Sequence, residues 1–284
     1  MKKYFSLVLF AHTLFALPFA LIGFFLAVTT TTNPFSWIKL VLMILCMVFA
    51  RNSAMAFNRY LDRYIDAKNP RTLLRDIPSG KISANGALLF TIINSLLFIL
   101  TTACINHLCF YLSPVALAVV LGYSYTKRFT ALCHLVLGLG LSLAPIGAYL
   151  VIAGTFAWLP IFFSLAVLCW VSGFDIIYAL QDEAFDKEHE LKSIPAWLGA
   201  KNALRLSSYL HSLAALFIAL PLFFTPLGGS YKCGVFFFIA LLIYQHHLVK
   251  PDDLSRVNRA FFTTNGVASA VFALFFFLDI YLRG

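Results

Sequence analysis

Apolar stretches of about twenty residues dominate the chain, and polar segments of alternating length separate them. A helix needs about twenty apolar residues to cross a bilayer, and nine segments of this chain meet that requirement. They are 4–28, 36–60, 85–106, 108–125, 131–153, 157–180, 202–223, 233–249 and 260–282. The pattern predicts an all-α membrane protein with about nine transmembrane helices, in a single domain over residues 1–284.

The polar segments differ between the two sides of the predicted membrane. On one side they are turns of a few uncharged residues, at 30–34, 106–107 and 154–155. On the other side they are longer or charged, at 61–84, 126–130, 181–201 and 250–259. With the N-terminus inside, 17 of the 21 Lys and Arg residues lie on the inner side, as the positive-inside rule requires. We therefore predict that the N-terminus is inside and the C-terminus outside.

Composition excludes an ordinary soluble domain. Apolar residues make up 61% of the chain and charged residues only 12%, whereas soluble domains carry about 25% charged residues. A net charge of +9 in a soluble protein would suggest a nucleic-acid partner. Here the basic residues follow the inner loops, so we expect a lipid bilayer and no nucleic acid as the surroundings of this protein.

The acidic residues also gather on the inner side, where two matching motifs contain most of the candidate chemistry. Residues 58–66 read NRYLDRYID, and residues 178–186 read YALQDEAFD. A spacing of four places the outer and central residues of each motif on one face of a helix. The residues that share such a face are Asn58, Asp62, Asp66, Tyr178, Asp182 and Asp186.

Carboxylates stacked one turn apart repel each other unless a cation separates them. Hard oxygen ligands of this kind suit Mg²⁺, which proteins typically hold by one or two carboxylates together with substrate phosphates. The two motifs lie 120 residues apart, and a basic loop with an Ile-Pro step follows each. This weak internal duplication predicts two aspartate pairs that face each other across a central cavity, open to the cytoplasmic side.

Basic residues near the motifs are candidates for binding an anionic substrate by forked or point-charge contacts. Arg51 lies within an apolar span, seven residues before Asn58, and therefore on the same helix face. An unpaired charge is costly at that depth, so Arg51 binds either a substrate anion or an acid such as Asp175. The others are Lys68, Arg71, Lys127 and Arg128. Each alone is typical of a positive-inside anchor, but together with the aspartates they favour a diphosphate site.

The pairing of N-x3-D-x3-D with Y-x3-D-x3-D on multi-span helices resembles the UbiA superfamily of intramembrane prenyltransferases. Its likeness is greatest to the bacterial 4-hydroxybenzoate polyprenyltransferase branch, and it covers essentially the whole chain. The stretches that carry it are 51–58, 66–72, 78–82 and 173–182. Many members have Asp directly after the motif Asn, whereas this chain has Arg59. That departure places the chain in a subgroup.

The resemblance implies a reaction and a role for each motif residue. Mg²⁺ ions bound by the four motif aspartates would hold the diphosphate of a polyprenyl donor, and an aromatic acid such as 4-hydroxybenzoate would accept the prenyl group. The implied catalytic and metal-binding residues are Asp62, Asp66, Asp182 and Asp186. The implied substrate-binding residues are Arg51, Asn58, Lys68, Arg71, Lys127, Arg128 and Tyr178. A place in the bacterial inner membrane and in quinone biosynthesis follows from the same likeness.

Two alternatives stay open at the level of sequence. The same reaction on another acceptor, such as a dihydroxynaphthoate or a haem precursor, requires the same motifs. A secondary transporter also combines internal repeats with intramembrane charges, although transporters usually place their site near mid-membrane. The acceptor, the prenyl chain length and the oligomeric state are not determined by the residues.

Overall fold

The structure, a computed structural model, describes residues 13–283, which contain α-helices and no β-strand. The longer helices are α1 (Thr13–Thr30), α2 (Trp37–Asp66), α3 (Ala84–Ala103), α4 (His107–Thr126), α5 (Cys133–Ala153), α6 (Trp158–Ala179), α8 (Ile194–Ala219), α10 (Gly229–Leu248) and α11 (Asn265–Tyr281). Short helices α7 (Glu183–Glu188) and α9 (Pro221–Phe224) lie between them. A 3₁₀ turn at Leu180–Asp182 and a π-helical turn at Arg259–Thr264 complete the described elements.

Each of the nine predicted spans overlaps one long helix of residues 13–283. Seven segments are long and apolar enough to cross a membrane, and α1 contributes a shorter apolar stretch, Phe15–Thr30. Helix α10 is not among the seven, since Lys232 near its start and Gln245 to His247 near its end shorten its apolar part. The chain is thus a multi-span helical membrane protein. Residues 4–12 of the first predicted span, with Lys2 and Lys3, lie outside the described residues.

Two helices extend further than the apolar pattern predicted. Helix α2 continues beyond the predicted end at residue 60 to Asp66, so the whole first motif is helical. Helix α8 begins at Ile194, where Ser193 accepts a hydrogen bond from the Ala196 amide. Gly199 interrupts α8 with a φ of 75°, a left-handed conformation that costs glycine little. Gly199 and Lys201 separate this first part of α8 from the apolar run that defined the predicted span at 202–223.

The second motif does not form the single helix face that its spacing predicted, and that prediction is wrong. Helix α6 ends at Ala179, the chain tightens into the 3₁₀ turn Leu180–Asp182, and Asp186 lies on the separate helix α7. Tyr178, Asp182 and Asp186 nevertheless all line one cavity. The change of helix type therefore removes neither aspartate from the site.

The buried apolar core lies on one side of the bundle, where α1, α6, α8, α10 and α11 pack together. Phe19, Trp170, Phe238 and Phe272 are fully buried there, and Trp170 Nε1 donates to Asn265 Oδ1 at 3.0 Å. Helix α5 also packs closely on α6, because a Cβ at Gly138 would lie only 2.5 Å from the carbonyl oxygen of Leu168. Small residues permit such close contacts between membrane helices.

Helices α2, α3 and α4 pack against one another on the other side of the bundle. Polar contacts join them, since Asn52 donates to Asn94 at 3.0 Å and Ser53 contacts Ser95 at 3.2 Å. At the end opposite the motifs, Asn106 donates to the carbonyl oxygen of Leu150 at 2.9 Å. A cavity lies among α2, α4, α5 and α6.

Candidate active site

The cavity has a volume of about 690 Å³ and is lined mainly by α2, α4, α5 and α6. Along α2 its lining residues recur every three or four positions from Met43 to Asp66, which corresponds to a depth of about 35 Å at about 1.5 Å per residue. The aspartates and most of the basic residues line one end, which we call the motif end. Beyond Arg51 the walls are largely apolar, with Met47, Leu112 and Leu141 among them.

Asp62 is only 2% exposed and is enclosed by cations from the end of α4. Lys127 Nζ lies 2.6 Å from Asp62 Oδ2, and Arg128 Nη2 lies 3.0 Å from Asp62 Oδ1. Asn58 Nδ2 also donates to Asp62 Oδ2 at 3.2 Å. These contacts place Asn58, Lys127 and Arg128 together at the first motif.

Asp66 lies one turn further along α2 and is 3% exposed. Arg75 Nη1, from the loop that follows α2, contacts Asp66 Oδ1 at 2.8 Å. Arg59 Nη1 lies 4.0 Å from Asp66 Oδ2, so the residue that replaces the usual motif acid faces into the site. Asp66 Oδ2 is buried and has no hydrogen-bond partner within residues 13–283. A buried carboxylate oxygen of this kind is available to a further ligand.

The second motif is contacted from the loop after the first. The guanidinium of Arg71 forms a forked pair with Asp182, in which Nε lies 2.9 Å from Oδ1 and Nη2 contacts Oδ2. Asn69 Nδ2 donates to the same Oδ1 at 3.0 Å, and Arg71 Nη1 donates to the Tyr178 hydroxyl at 3.0 Å. Burial lowers the pKa of Arg71, but the hydrogen bonds and charge of Asp182 outweigh burial and raise that pKa. Arg71 therefore stays a cation at the motif end.

The remaining predicted site residues divide into two groups. Asp186 is half-buried on α7 and Arg51 is half-buried on α2, and both line the cavity. Lys68 is exposed and is not among the lining residues. Lys68 was singled out because it follows the motif directly, but the turn after α2 directs the neighbouring Asn69, Arg71 and Arg75 into the site instead.

The carboxylates of the two motifs are the type of ligand that binds Mg²⁺, although they lie apart from one another in this structure. Within the described residues, no three or more His, Cys, Asp or Glu side chains are close enough to hold a metal ion. Basic side chains neutralise Asp62, Asp66 and Asp182. Asp66 Oδ2, which has no hydrogen-bond partner among the described residues, and the other acids around the cavity are the hard oxygen ligands that Mg²⁺ prefers. Metal binding at these residues requires that the bases release the carboxylates.

Three groups in the site were not among the predicted site residues. Asn69 and Arg75 contact Asp182 and Asp66 at 3.0 and 2.8 Å, and only their position in the basic loop indicated a role. Asp175 lines the cavity and contacts His134 Nδ1 at 2.6 Å. Its partner could not be identified because 41 residues separate the two.

Comparisons with known proteins agree with this architecture. The model of the UbiA prenyltransferase family matches residues 16–276. The chain is 31% identical to the 4-hydroxybenzoate octaprenyltransferase of Aliivibrio salmonicida (strain LFI1238) over 240 residues, which cover 83% of this chain and 82% of that relative. It is 29% identical over 239 residues to the protein of the same name from Vibrio parahaemolyticus, with 83% of each chain covered.

Two solved structures are similar over nearly the whole chain. One is a UbiA homologue from Aeropyrum pernix K1 in its apo form, with a TM-score of 0.85, 31% identity and coverage of 95% of this chain and 98% of that one. The other is a UbiA homologue from Archaeoglobus fulgidus bound to GPP and Mg²⁺, with a TM-score of 0.76, 25% identity and coverage of 98% and 99%.

Proposed function

The chain belongs to the UbiA prenyltransferase family, and from that premise we propose that it transfers a polyprenyl group from polyprenyl diphosphate to an aromatic acid such as 4-hydroxybenzoate. The observation that carries the proposal is the arrangement of two aspartate motifs and their basic partners at one end of an otherwise apolar cavity. Relatives named 4-hydroxybenzoate octaprenyltransferase support the same class of reaction.

The motif end suits a diphosphate complexed with a divalent cation. Asp62, Asp66, Asp182 and Asp186 would hold Mg²⁺, which when bound supplies Lewis-acid and template chemistry to the departing diphosphate. In the structure Lys127 and Arg71 neutralise carboxylates of both motifs. On substrate binding these bases transfer from the aspartates to phosphate oxygens, with which Arg forms forked pairs and Lys a point-charge contact. Their charges then stabilise the departing pyrophosphate.

The aromatic acid binds deeper than the diphosphate in this proposal. Arg51 lies seven residues before Asn58 on α2 and lines the cavity, about 10 Å from the motif at about 1.5 Å per residue. Its planar guanidinium matches a carboxylate. The electron-rich ring then lies between Arg51 and the diphosphate, where the allylic C–O bond breaks and a ring carbon forms the new C–C bond. The same ring carbon then releases its hydrogen as a proton, which restores aromaticity.

The prenyl tail occupies the apolar part of the same cavity. Met47, Leu112, Leu141 and Leu150 line the walls beyond Arg51, and burial of an apolar chain there is favourable by about 25 cal/mol per Å². The tail of a long donor reaches the lipid between helices. Binding of the tail and diphosphate at opposite ends orients the reacting carbon toward the acceptor ring.

The predicted topology becomes part of this proposal. Nine spans, with the N-terminus inside and the C-terminus outside, place the motif end and the cavity opening on the cytoplasmic side of a bacterial inner membrane. The positive charges of the loops after α2, α4, α6 and α10 support that orientation. Water-soluble acceptors from the cytoplasm then meet a lipid-soluble donor, as a step of quinone biosynthesis requires.

The test is product formation by the purified protein in detergent or in lipid nanodiscs. We expect a prenylated acid when polyprenyl diphosphate, Mg²⁺ and 4-hydroxybenzoate are present. A panel with a dihydroxynaphthoate and a haem precursor decides the acceptor, and donors of several lengths decide the chain length. Uptake of a solute into vesicles without formation of any prenylated product would instead favour a transporter and overturn the proposal.

A further inference from the structure

Arg59 is a buried cation of the cavity that the proposed diphosphate contacts of Arg71 and Lys127 do not include. It follows Asn58 directly in the first motif. It also lies seven residues before Asp66, on nearly the same face of α2 at about 3.6 residues per turn. Arg59 lines the cavity and is only 7% exposed. A guanidinium keeps its positive charge in proteins, so this charge has to be balanced inside the site.

The acid nearest to Arg59 is already engaged by a second base. Arg59 Nη1 lies 4.0 Å from Asp66 Oδ2, which is beyond hydrogen-bond distance. Arg75 Nη1 contacts the other oxygen of the same carboxylate, Oδ1, at 2.8 Å. Two guanidiniums thus lie beside one carboxylate, whose Oδ2 has no hydrogen-bond partner within residues 13–283. Like charges in such an arrangement repel each other, and an anionic ligand between them relieves that repulsion.

The motif end carries one positive charge in excess. Its four motif aspartates are opposed by five bases, each within 4.0 Å of one of them: Arg59, Arg71, Arg75, Lys127 and Arg128. Deeper in the cavity, Arg51 and Asp175 carry opposite charges. A bound diphosphate ester adds about three negative charges near neutral pH. The remaining two negative charges equal the charge of one Mg²⁺.

The residue at position 59 decides this balance. Many members of the family have Asp there, and this chain has Arg59. An aspartate would make the motif end more negative by two charges, which is the charge of a second divalent cation. The arginine therefore supplies from the chain what a second metal ion would otherwise have to supply.

We propose that Arg59 binds the donor diphosphate directly and takes the place of a second metal ion, so that this chain binds the diphosphate with a single divalent cation. This inference rests on the proposed function, because it concerns the diphosphate site of that reaction. Phosphate oxygens accept hydrogen bonds from the guanidinium of Arg59 as a forked pair. The charge of Arg59 then stabilises the departing pyrophosphate without a metal ion at that position.

The distribution of charge between the two motifs agrees with this role. Four of the five bases lie beside the acids of the first motif, and among the described residues only Arg71 pairs with an acid of the second. The first motif thus attracts phosphate and the second attracts a divalent cation. One cation is still required, because the acids of the second motif repel an uncoordinated diphosphate.

The test counts the metal ions that accompany a diphosphate. Purified protein in a neutral detergent is equilibrated with inorganic pyrophosphate and Mn²⁺, which prefers the same oxygen ligands as Mg²⁺. Electron paramagnetic resonance then measures the bound Mn²⁺. We expect one Mn²⁺ per chain in the wild type and two in Arg59→Asp, in which the neighbouring ions also broaden each other's signal. Any other count in the wild type, or a single Mn²⁺ in folded Arg59→Asp, would overturn the proposal.

Arg63→Asp is the matched control for the change of charge. Arg63 lies about one turn further along the same helix, contacts the rings of Tyr60 and Tyr64 and does not line the cavity. Its substitution makes the same change of charge outside the site, so we expect one Mn²⁺ as in the wild type. Two Mn²⁺ in this variant would attribute the second ion to general charge and refute the role of Arg59.

Two milder variants keep the test decisive if Arg59→Asp does not fold. At saturating Mn²⁺, Arg59→Gln should bind pyrophosphate about tenfold more weakly in calorimetry, because it loses a hydrogen bond from a charged group. Arg59→Lys keeps the charge and should recover part of that affinity. Unchanged affinity in Arg59→Gln would overturn the proposal. A wild type that binds pyrophosphate with one Mn²⁺ but forms no prenylated acid would refute the proposed function and leave this inference standing.

Discussion

The two aspartate motifs have the same spacing but are built differently. The first lies on one continuous helix of 30 residues, and its acids are 2% and 3% exposed. The second spans a 3₁₀ turn and a separate short helix, and the side chain of Asp182 is 17% exposed. Four basic residues form ion pairs with the aspartates of the first motif, Arg59, Arg75, Lys127 and Arg128. Among the described residues, Arg71 alone forms an ion pair with an aspartate of the second.

This difference indicates that the first motif has a fixed geometry, and we call it the anchor. The second motif can adjust its position when substrate binds, and we call it the partner. The first motif is buried and charge-neutralised by the chain itself, so its geometry exists before the substrate arrives. The second motif is held by Asn69 and Arg71, which belong to the loop after the first motif. The position of that loop therefore sets the position of Asp182. If a metal-diphosphate draws Arg71 away from Asp182, Asp182 loses its ion pair. The bound metal then has to take the place of Arg71.

Removal of Mg²⁺ should have the largest effect and should act on the two motifs unequally. We expect EDTA to abolish turnover and added Mg²⁺ to restore it, because an uncoordinated diphosphate is repelled by the acids. Amide hydrogen exchange should slow at 180–188 when Mg²⁺ and pyrophosphate are added, and change little at 58–66. Full turnover in metal-free buffer, or equal protection of both segments, would contradict the distinction.

Substitution of Asp62 or Asp186 by alanine should abolish turnover in both cases but lower the thermal stability of only one variant. Both variants should lose turnover by more than about 100-fold, since loss even of residues that support metal ligands costs 10–100-fold. Asp62→Ala also leaves Lys127 and Arg128 without their partner. Loss of one partner of a fully buried pair costs about 3–5 kcal/mol, and the cost is smaller here because the two cations are 29% and 27% exposed. We therefore expect a lower Tm for Asp62→Ala in thermal melting. A larger loss of Tm in Asp186→Ala would reverse the assignment of anchor and partner.

Arg71→Lys should weaken donor binding without loss of charge. Lysine cannot keep the fork to Asp182 and the bond to Tyr178 together, so KM for polyprenyl diphosphate should rise about tenfold, which corresponds to about 1.4 kcal/mol. Lys68→Ala is the matched control from the same loop, because Lys68 is exposed and does not line the cavity. An unchanged KM in Arg71→Lys together with a raised KM in Lys68→Ala would show that general loop charge, rather than the fork, binds the donor.

Arg51→Lys should have the smallest effect of the series. It keeps the charge but loses the planar fork for a carboxylate, so we expect a several-fold rise in KM for the aromatic acid with little change in stability. If Arg51 serves only as a structural partner of another group, the substitution will lower Tm and leave both KM values unchanged. Steady-state kinetics in detergent distinguishes these outcomes.

The sequence predicted the helices and the first motif well because both depend on local periodicity. Residues 58–66 keep their four-residue spacing within one helix, so one face could be read directly. The break in the second motif could not, since the four residues from Ala179 to Asp182 include no Gly or Pro. There Asp182 is held by Arg71 and Asn69, 111 and 113 residues away. Long-range contacts of this kind leave no signal in a local pattern.

The same limit explains why the sequence alone could not decide which basic residues line the cavity. Lys127 and Arg128 end α4 and reach the first motif across 65 and 66 positions of sequence, but their clustered charge made them candidates. Lys68 had the same appearance and lies outside the cavity. Charge near a motif identifies a set of candidates, and only the path of the loop decides which of them enter the site.

In the proposed reaction both motifs bind the metal-diphosphate at once. The Asp66→Ala, Asp186→Ala double variant removes one motif aspartate on each side of the cavity. The measurement is formation of prenylated 4-hydroxybenzoate by purified protein with polyprenyl diphosphate and Mg²⁺. The account predicts product from the wild type and none from a folded, membrane-inserted double variant. Normal product formation by that variant would contradict it.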